Sequence, residues 1–204
     1  VDPRMSRMLI EASKNDCLAD VLVIVAAMSI QDPRERPMEE REKADQFHKR
    51  FHSPVSDFLS FLALWKYLNE QRSALSHTKF RAMCRNEYLH YLRVREWQDV
   101  YAQLKETARE QKLRLGQAGA DPDAIHQSML VGLLSHLAIR VEDSREFQGA
   151  RGTQVTIWPG SGLAKKPPAW LMAAEFMETS RVWAHTVAAV EPAWIETSGA
   201  HLLK

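Results

Sequence analysis

At 204 residues and 23.4 kDa the chain can bury a core without disulfides or metal, as one large domain or two small ones, but is too short for a self-contained motor. A hydrophobic fraction of 45% with 26% charged residues excludes wholesale disorder, collagen and coiled coil. The 27 Lys and Arg nearly balance the 26 Asp and Glu, leaving a net charge of +1, so an anionic partner has to be met by local clusters of cations.

In chain order, Asp2 and Pro3 make an N-cap and first-turn pair, and Met5, Met8, Leu9 and Ala12 recur at helical spacing, so a helix opens the chain. A second helix is expected from about Cys17 to Ser29, apolar nearly all round and therefore buried, behind Asn15 or Asp16. The apolar run from Leu18 to Ile30 is interrupted by Asp20 and Ser29 and is too short to span a bilayer, and no secretory signal precedes it. Gln31-Asp32-Pro33-Arg34-Glu35-Arg36-Pro37 stops the helix, because two prolines and a polar interior cannot continue it. Met38 to Phe51 is charged and reads as a solvated helix. Ser56-Asp57 caps the next one, Phe58 to Gln71, with a wide apolar stripe. The longest periodic segment runs from His77 to about Gln111, with a bend expected near Arg93 to Arg95. Gly116 to Pro122 is a linker, and one further helix is expected from Ile125 to Leu137.

After Leu137 the texture changes. Glu142 to Gly152 is polar, Gln154 to Trp158 alternates as a strand, and Pro159-Gly160-Ser161-Gly162 is a turn. Trp170 to Val190 reads as two strands, or one long bent pair, about Thr179-Ser180-Arg181. Glu191-Pro192 caps a short helix to about Leu203. The expected organisation is a helical module followed by a small β module, with the boundary near Leu137. A first residue of Val1 rather than Met points to a piece of a longer protein. Cys17 and Cys84, distant and outside any Cys-x-x-Cys motif, suit a reduced intracellular chain, and a cytoplasmic location is expected.

No Gly-x-x-x-x-Gly-Lys-Ser/Thr, Gly-x-Gly-x-x-Gly or Gly-x-Ser-x-Gly motif is present, so nothing here cradles a triphosphate or dinucleotide or makes a nucleophile elbow. Asp45, His48 and His52 share a helical spacing that suits metal ligands, but no fourth ligand is in register and Pro54 follows, so they read as surface groups and no metal is expected. Cys84 lies on an apolar stripe and reads as a buried thiol rather than a nucleophile. Between Lys79 and Glu96, five cations (Lys79, Arg81, Arg85, Arg93, Arg95) face two acids (Glu87, Glu96), interleaved with Tyr88, His90 and Tyr91. This pattern fits phosphate tracking with base stacking, and it also fits a solvated helix face. The same two readings apply to the Gly/Pro-punctuated loop from Trp158 through Lys165 and Lys166.

Four blocks, Val1 to Leu9, Met28 to Pro37, Cys84 to Arg93 and Trp158 to Leu163, resemble successive parts of the C-terminal region of DEAH-box helicases, and Arg93 to Asp99 is similar to the bacterial HrpA type. The resemblance extends over essentially the whole chain. It implies an α+β fold: residues 1–137 as an all-helical ratchet-like module with the end of a winged-helix connection, 138–204 as a small OB-like β-barrel with a short C-terminal helix. It further implies an accessory fragment that guides single-stranded RNA, possibly DNA, past absent RecA-like domains moving 3′ to 5′. The fragment itself would be non-catalytic and hold no cofactor, with ATP and Mg bound by the parent helicase. Ribosome-associated or messenger RNA targets are among those the same likeness allows, with the natural RNA left open. Carried over by position, the strand-contacting residues are Arg85, His90, Arg93, Arg151, Trp158, Ser161, Lys165 and Lys166, with Thr179 and Arg181 on a strand close to the path. His90 stands where many relatives have Asn, and Trp158 where many eukaryotic relatives have His. Asp32, Arg34 and Arg36 read as docking residues for the RecA domains, or as a connector with internal ion pairs. The alternative for the whole chain is a protein-docking module that couples the motor to a partner.

Overall fold

The Asp2 carboxylate accepts from Arg4 N at 2.8 Å, and Pro3 occupies the first turn of α1 (Pro3–Lys14). The computed structural model describes residues 2–200, with backbone only at 199 and 200. The expected apolar helix is α2 (Leu18–Met28), buried along nearly its whole surface. Asp20, its one acid, is also buried, because its carboxylate accepts from Gly119 N and Ala120 N and pins the long connection against the helix. After the proline-bracketed loop come α3 (Arg41–His48), between two single 3₁₀ turns, and α4 (Asp57–Ala74), whose N-cap Ser56 accepts from Leu59 N at 3.2 Å.

The segment expected to be one bent helix is two, α5 (His77–Asn86) and α6 (Tyr91–Glu110). The break falls at residues 87–90, ahead of the expected bend. Tyr88 adopts a left-handed φ of 57°, Leu89 N turns back to Cys84 O, and His90 caps α6 by accepting from Arg93 N. The next helix is also shorter than expected: α7 (Pro122–Leu130) ends seven residues before Leu137, where the chain already enters a strand.

Five strands follow: β1 (Leu137–Arg140), β2 (Glu146–Gln148), β3 (Gln154–Ile157), β4 (Trp170–Glu178) and β5 (Val182–Ala189). They close into a barrel in the order β1-β2-β3-β5-β4, antiparallel except for the parallel β3/β5 pair. β1 and β2 were not expected as strands. They are four and three residues long, and each buries one side chain, Ala138 and Phe147, so neither carries a readable alternation. The expected strand pair is β4 and β5, with its turn at Thr179 to Arg181. α8 (Pro192–Ala200) follows the expected cap; its expected end near Leu203 lies outside the described residues.

Ala138, Phe147, Val155, Ile157, Leu163, Leu171, Ala173, Ala184 and Val187 fill the barrel. The larger core lies among the helices and takes in Met172, Ala188 and Val190 from the barrel end. The barrel is seated on the helices by backbone as well. β3 stops opposite Ala184, and beyond it residues 55–57 take its place beside β5, with Ala189 N donating to Val55 O and Ser56 bridging Ala188.

Candidate nucleic-acid interface

Two of the recognisable sequence blocks meet in space. Arg34 bridges Leu89 antiparallel, Glu35 N donates to Tyr88 O, and His90 N donates to Pro33 O at 2.7 Å. This short pairing lays the proline-bracketed loop along the α5–α6 break. His48 holds it from beneath: Nε2 lies 3.1 Å from both Glu87 O and Tyr88 O, so the ring is the Nε2–H tautomer donating to these two carbonyls at the end of α5, the second of which also accepts from Glu35 N. The expectation of a surface histidine is corrected here, since His48 is 3% exposed. Burial and the nearby Arg34 charge hold its pKa below the ordinary imidazole value. Glu87, also buried, accepts from Tyr67 Oη and Arg50.

Above this base lies a groove of about 730 Å³ between the helices and the outer wall of the barrel. Arg4, Arg34, Arg36 and Arg93 line it, with His48, His52, His136 and His185. Arg34 is paired with Asp32 (2.9 Å) and lies 4.8 Å from the Phe61 ring centroid; Arg36 grips Asp45 with two bonds of 2.8 and 3.1 Å. These partners hold Asp32 and Asp45 below the usual carboxylate range, for Asp32 against an opposing effect of burial. Arg4 bonds Asp2 and reaches His136, whose Nδ1 lies 3.2 Å from Ala173 O and so carries the proton. Arg93 donates to Asp32 O at 3.2 Å and, among the described residues, has no carboxylate partner.

The barrel wall contributes Trp158, Ser161, His185 and Thr186. The Trp158 ring stacks on His185 at 4.6 Å, and burial pushes the His185 pKa down. Beneath them Asp57, 2% exposed, accepts from Ser161 Oγ (2.6 Å), Gly162 N (3.1 Å) and Val187 N (2.9 Å). One carboxylate at the start of α4 thus fixes the turn after β3 and the bend of β5, where Thr186 has a φ of 57°.

Of the sequence-derived candidates, Arg93, Trp158 and Ser161 come together in the groove with Asp32, Arg34 and Arg36. Ser161 has its hydroxyl proton committed to Asp57, and both loop arginines have internal ion pairs. His90 is a helix cap. Arg85 is exposed on α5, Lys165 and Lys166 on the loop before β4, and Arg151 in a left-handed turn between β2 and β3; none of these lines the groove. Thr179 and Arg181 line a separate cleft of about 410 Å³ with Glu146, Thr153, Gln154 and Thr156. Arg4, Asp57, His136 and His185 were missed. For Arg4 and His136 nothing in the local pattern marks them, whereas Asp57 was visible only as part of a helix cap.

Residues 2–87 match the helicase associated domain (HA2), described as ratchet-like, and residues 125–202 match the oligonucleotide/oligosaccharide-binding (OB)-fold family. The chain is 49% identical over all 204 residues to ATP-dependent RNA helicase HrpA of Escherichia coli, covering 16% of that protein. The chain belongs to the C-terminal region of the DEAH-box RNA helicases. The HrpA homolog of Haemophilus influenzae is 46% identical over the whole chain, again with 16% covered, and the human probable ATP-dependent RNA helicase DHX35 is 26% identical over 96% of this chain and 27% of its own length. The DEAH-box chain described here therefore spans about a sixth of its bacterial relatives. Its helical part and closed barrel are what the two family matches describe. Among the described residues no helix is long and apolar enough to cross a membrane.

Proposed function

We propose that this chain is the strand-guiding part of an ATP-dependent 3′–5′ DEAH-box RNA helicase, holding single-stranded RNA in the groove between the ratchet-like helices and the barrel. Arg93 carries the reading: it is a groove arginine without a carboxylate partner among the described residues, and it lines the same space as the Trp158 indole. A guanidinium for phosphate and a ring for a base are the two elements that sequence-tolerant single-strand binding needs. Asp32, Arg34 and Arg36 then shape the groove. Arg85, Arg151, Lys165 and Lys166 meet only the flanks of a bound strand. Catalysis, with ATP and Mg, belongs to RecA-like domains of the longer protein.

The test is anisotropy of a labelled single-stranded RNA titrated with this chain. Affinity is expected to fall steeply with salt, and Arg93→Ala to weaken binding several-fold and lower the salt slope by about 0.7. Arg85→Ala and the Lys165→Ala/Lys166→Ala double variant should weaken it less. A second reading, a docking module for another domain or a ribosome-associated partner, draws on α5: Lys79, Arg81 and Arg85 are exposed and have no carboxylate partner among the described residues. Absence of binding at low salt would decide for it.

A further inference from the structure

Four of the six tryptophans, Trp65, Trp97, Trp170 and Trp194, pack into the helical core. Trp158 and Trp183 belong to neither core. They stand side by side on the outside of the barrel, because Trp183 pairs with Thr156 in the parallel β3/β5 register and Trp158 N continues that ladder by donating to Ala184 O. Their rings meet edge to face at 5.5 Å and 86°. Alternation along β5 puts Trp183 and His185 on this same face, and Arg181, in the turn just before the strand, has its guanidinium 5.4 Å from the Trp183 ring centroid. Across the sheet Met177 pairs with Trp183 and is 41% exposed. A solvent-facing barrel wall needs no such row for folding.

The row also joins two cavities. Trp158, His185 and Met177 line the groove, while Arg181 and Thr156 line the smaller cleft, so Trp183 stands on the wall between them. Trp158, just past β3, and Trp183, on the neighbouring β5, have ring centroids 5.5 Å apart, close enough for nearby nucleotides of one strand to meet both.

We propose that the outer face of β5 is a second stacking subsite for single-stranded RNA, in which Trp183, flanked by Arg181, takes a base beyond the one held at Trp158. The subsite rests on the groove reading and extends it: strands long enough to leave the groove run along β5 toward the β4–β5 turn, where Thr179 and Arg181 meet them.

The experiment is anisotropy with labelled oligouridylates of about 4, 8 and 12 nucleotides, within the ~4–16-nucleotide site sizes of OB folds, using the unaltered chain, Trp183→Ala, Trp183→Phe and Arg93→Ala. Trp183→Ala is expected to lose about tenfold in affinity for the longest oligonucleotide and nothing for the shortest, with Trp183→Phe retaining most of the binding. Arg93→Ala is expected to weaken every length. Equal affinity of Trp183→Ala and the unaltered chain at all lengths overturns the subsite while leaving the groove standing. An equal loss at every length, the shortest included, also overturns it, since the residue would then act through the groove or the fold. Binding at no length by the unaltered chain overturns the groove reading and the subsite with it.

Discussion

Asp57 accepts three hydrogen bonds in a site closed to water, and all three come from the barrel. Hydrogen bonds to a charged group are worth about 1.5–3 kcal/mol each, and donors left buried without a partner cost more than the bond alone. Asp57→Ala should therefore destabilise the protein by about 3 kcal/mol or more, read as a lowered urea midpoint. The histidines act through protons. His48, His52, His126 and His185 all have pKa values lowered by burial, with Arg34 adding to the effect on His48 and His52. The unfolded chain, with imidazoles near 6.5, then binds more protons than the native state once the pH drops below that value. Stability from these groups is present above pH ~6.5 and is lost as the pH falls below it, levelling off below the native values. Asp32 and Asp45 add a loss at still lower pH, below ~3.9. Urea midpoints are expected to drop between pH 7 and 5, and His48→Gln, which retains a donor for the Glu87 and Tyr88 carbonyls but does not titrate, should flatten part of that drop.

At the scale of elements, the turn after β3 and the bend in β5 are built to touch the helices. A Cβ on Gly162 would lie 2.5 Å from Ser53 O, a backbone atom that cannot swing aside, so Gly162→Ala should cost about 1–3 kcal/mol and lower the melting temperature. Thr186 is β-branched and left-handed, a conformation that costs of order 1–3 kcal/mol and that sits at the groove edge. Replacing it with glycine should raise stability by about 1 kcal/mol, because relief of strain exceeds the added flexibility of the unfolded chain. These elements also show what could be read from the sequence. α1 and α4 carried periodic patterns with caps, α2 an unbroken apolar run and the β4/β5 segment a β-branched and aromatic composition. All lie close to where those signals put them, although α2 begins after Cys17 with no side-chain cap from Asn15 or Asp16. β1 and β2 were too short to carry a pattern. The α5–α6 break was hidden because Tyr88 is no helix breaker; the left-handed turn is imposed by His48, Pro33 and Glu35, residues distant in sequence. For the groove the limit was the same. Asp32, Arg34, Arg36, Arg93 and Trp158 stood out by type, but Arg4, His136 and His185 reach it only because the barrel packs on the helices.

For the molecule as a whole, the helical core includes Met172, Ala188 and Val190 from the barrel, so the two parts share buried surface. Urea unfolding followed by tryptophan fluorescence and by far-ultraviolet circular dichroism should give one coincident transition, which Asp57→Ala, by removing the polar link, should split or broaden. The near-neutral total charge also takes on a spatial meaning: around the groove, most arginines are matched by carboxylates, while Arg93 and the outward cations of α5 have no such match among the described residues. The single bridge that Ser56 makes beside β5, flanked by Val55 and Asp57, sets one last property. It fastens the start of α4 to the barrel by backbone as well as by side chain. Helices and barrel joined in that way are expected to move as one piece, so that any widening of the groove strains this seam, and slow hydrogen exchange at Ala189 N is the measurement that reads it.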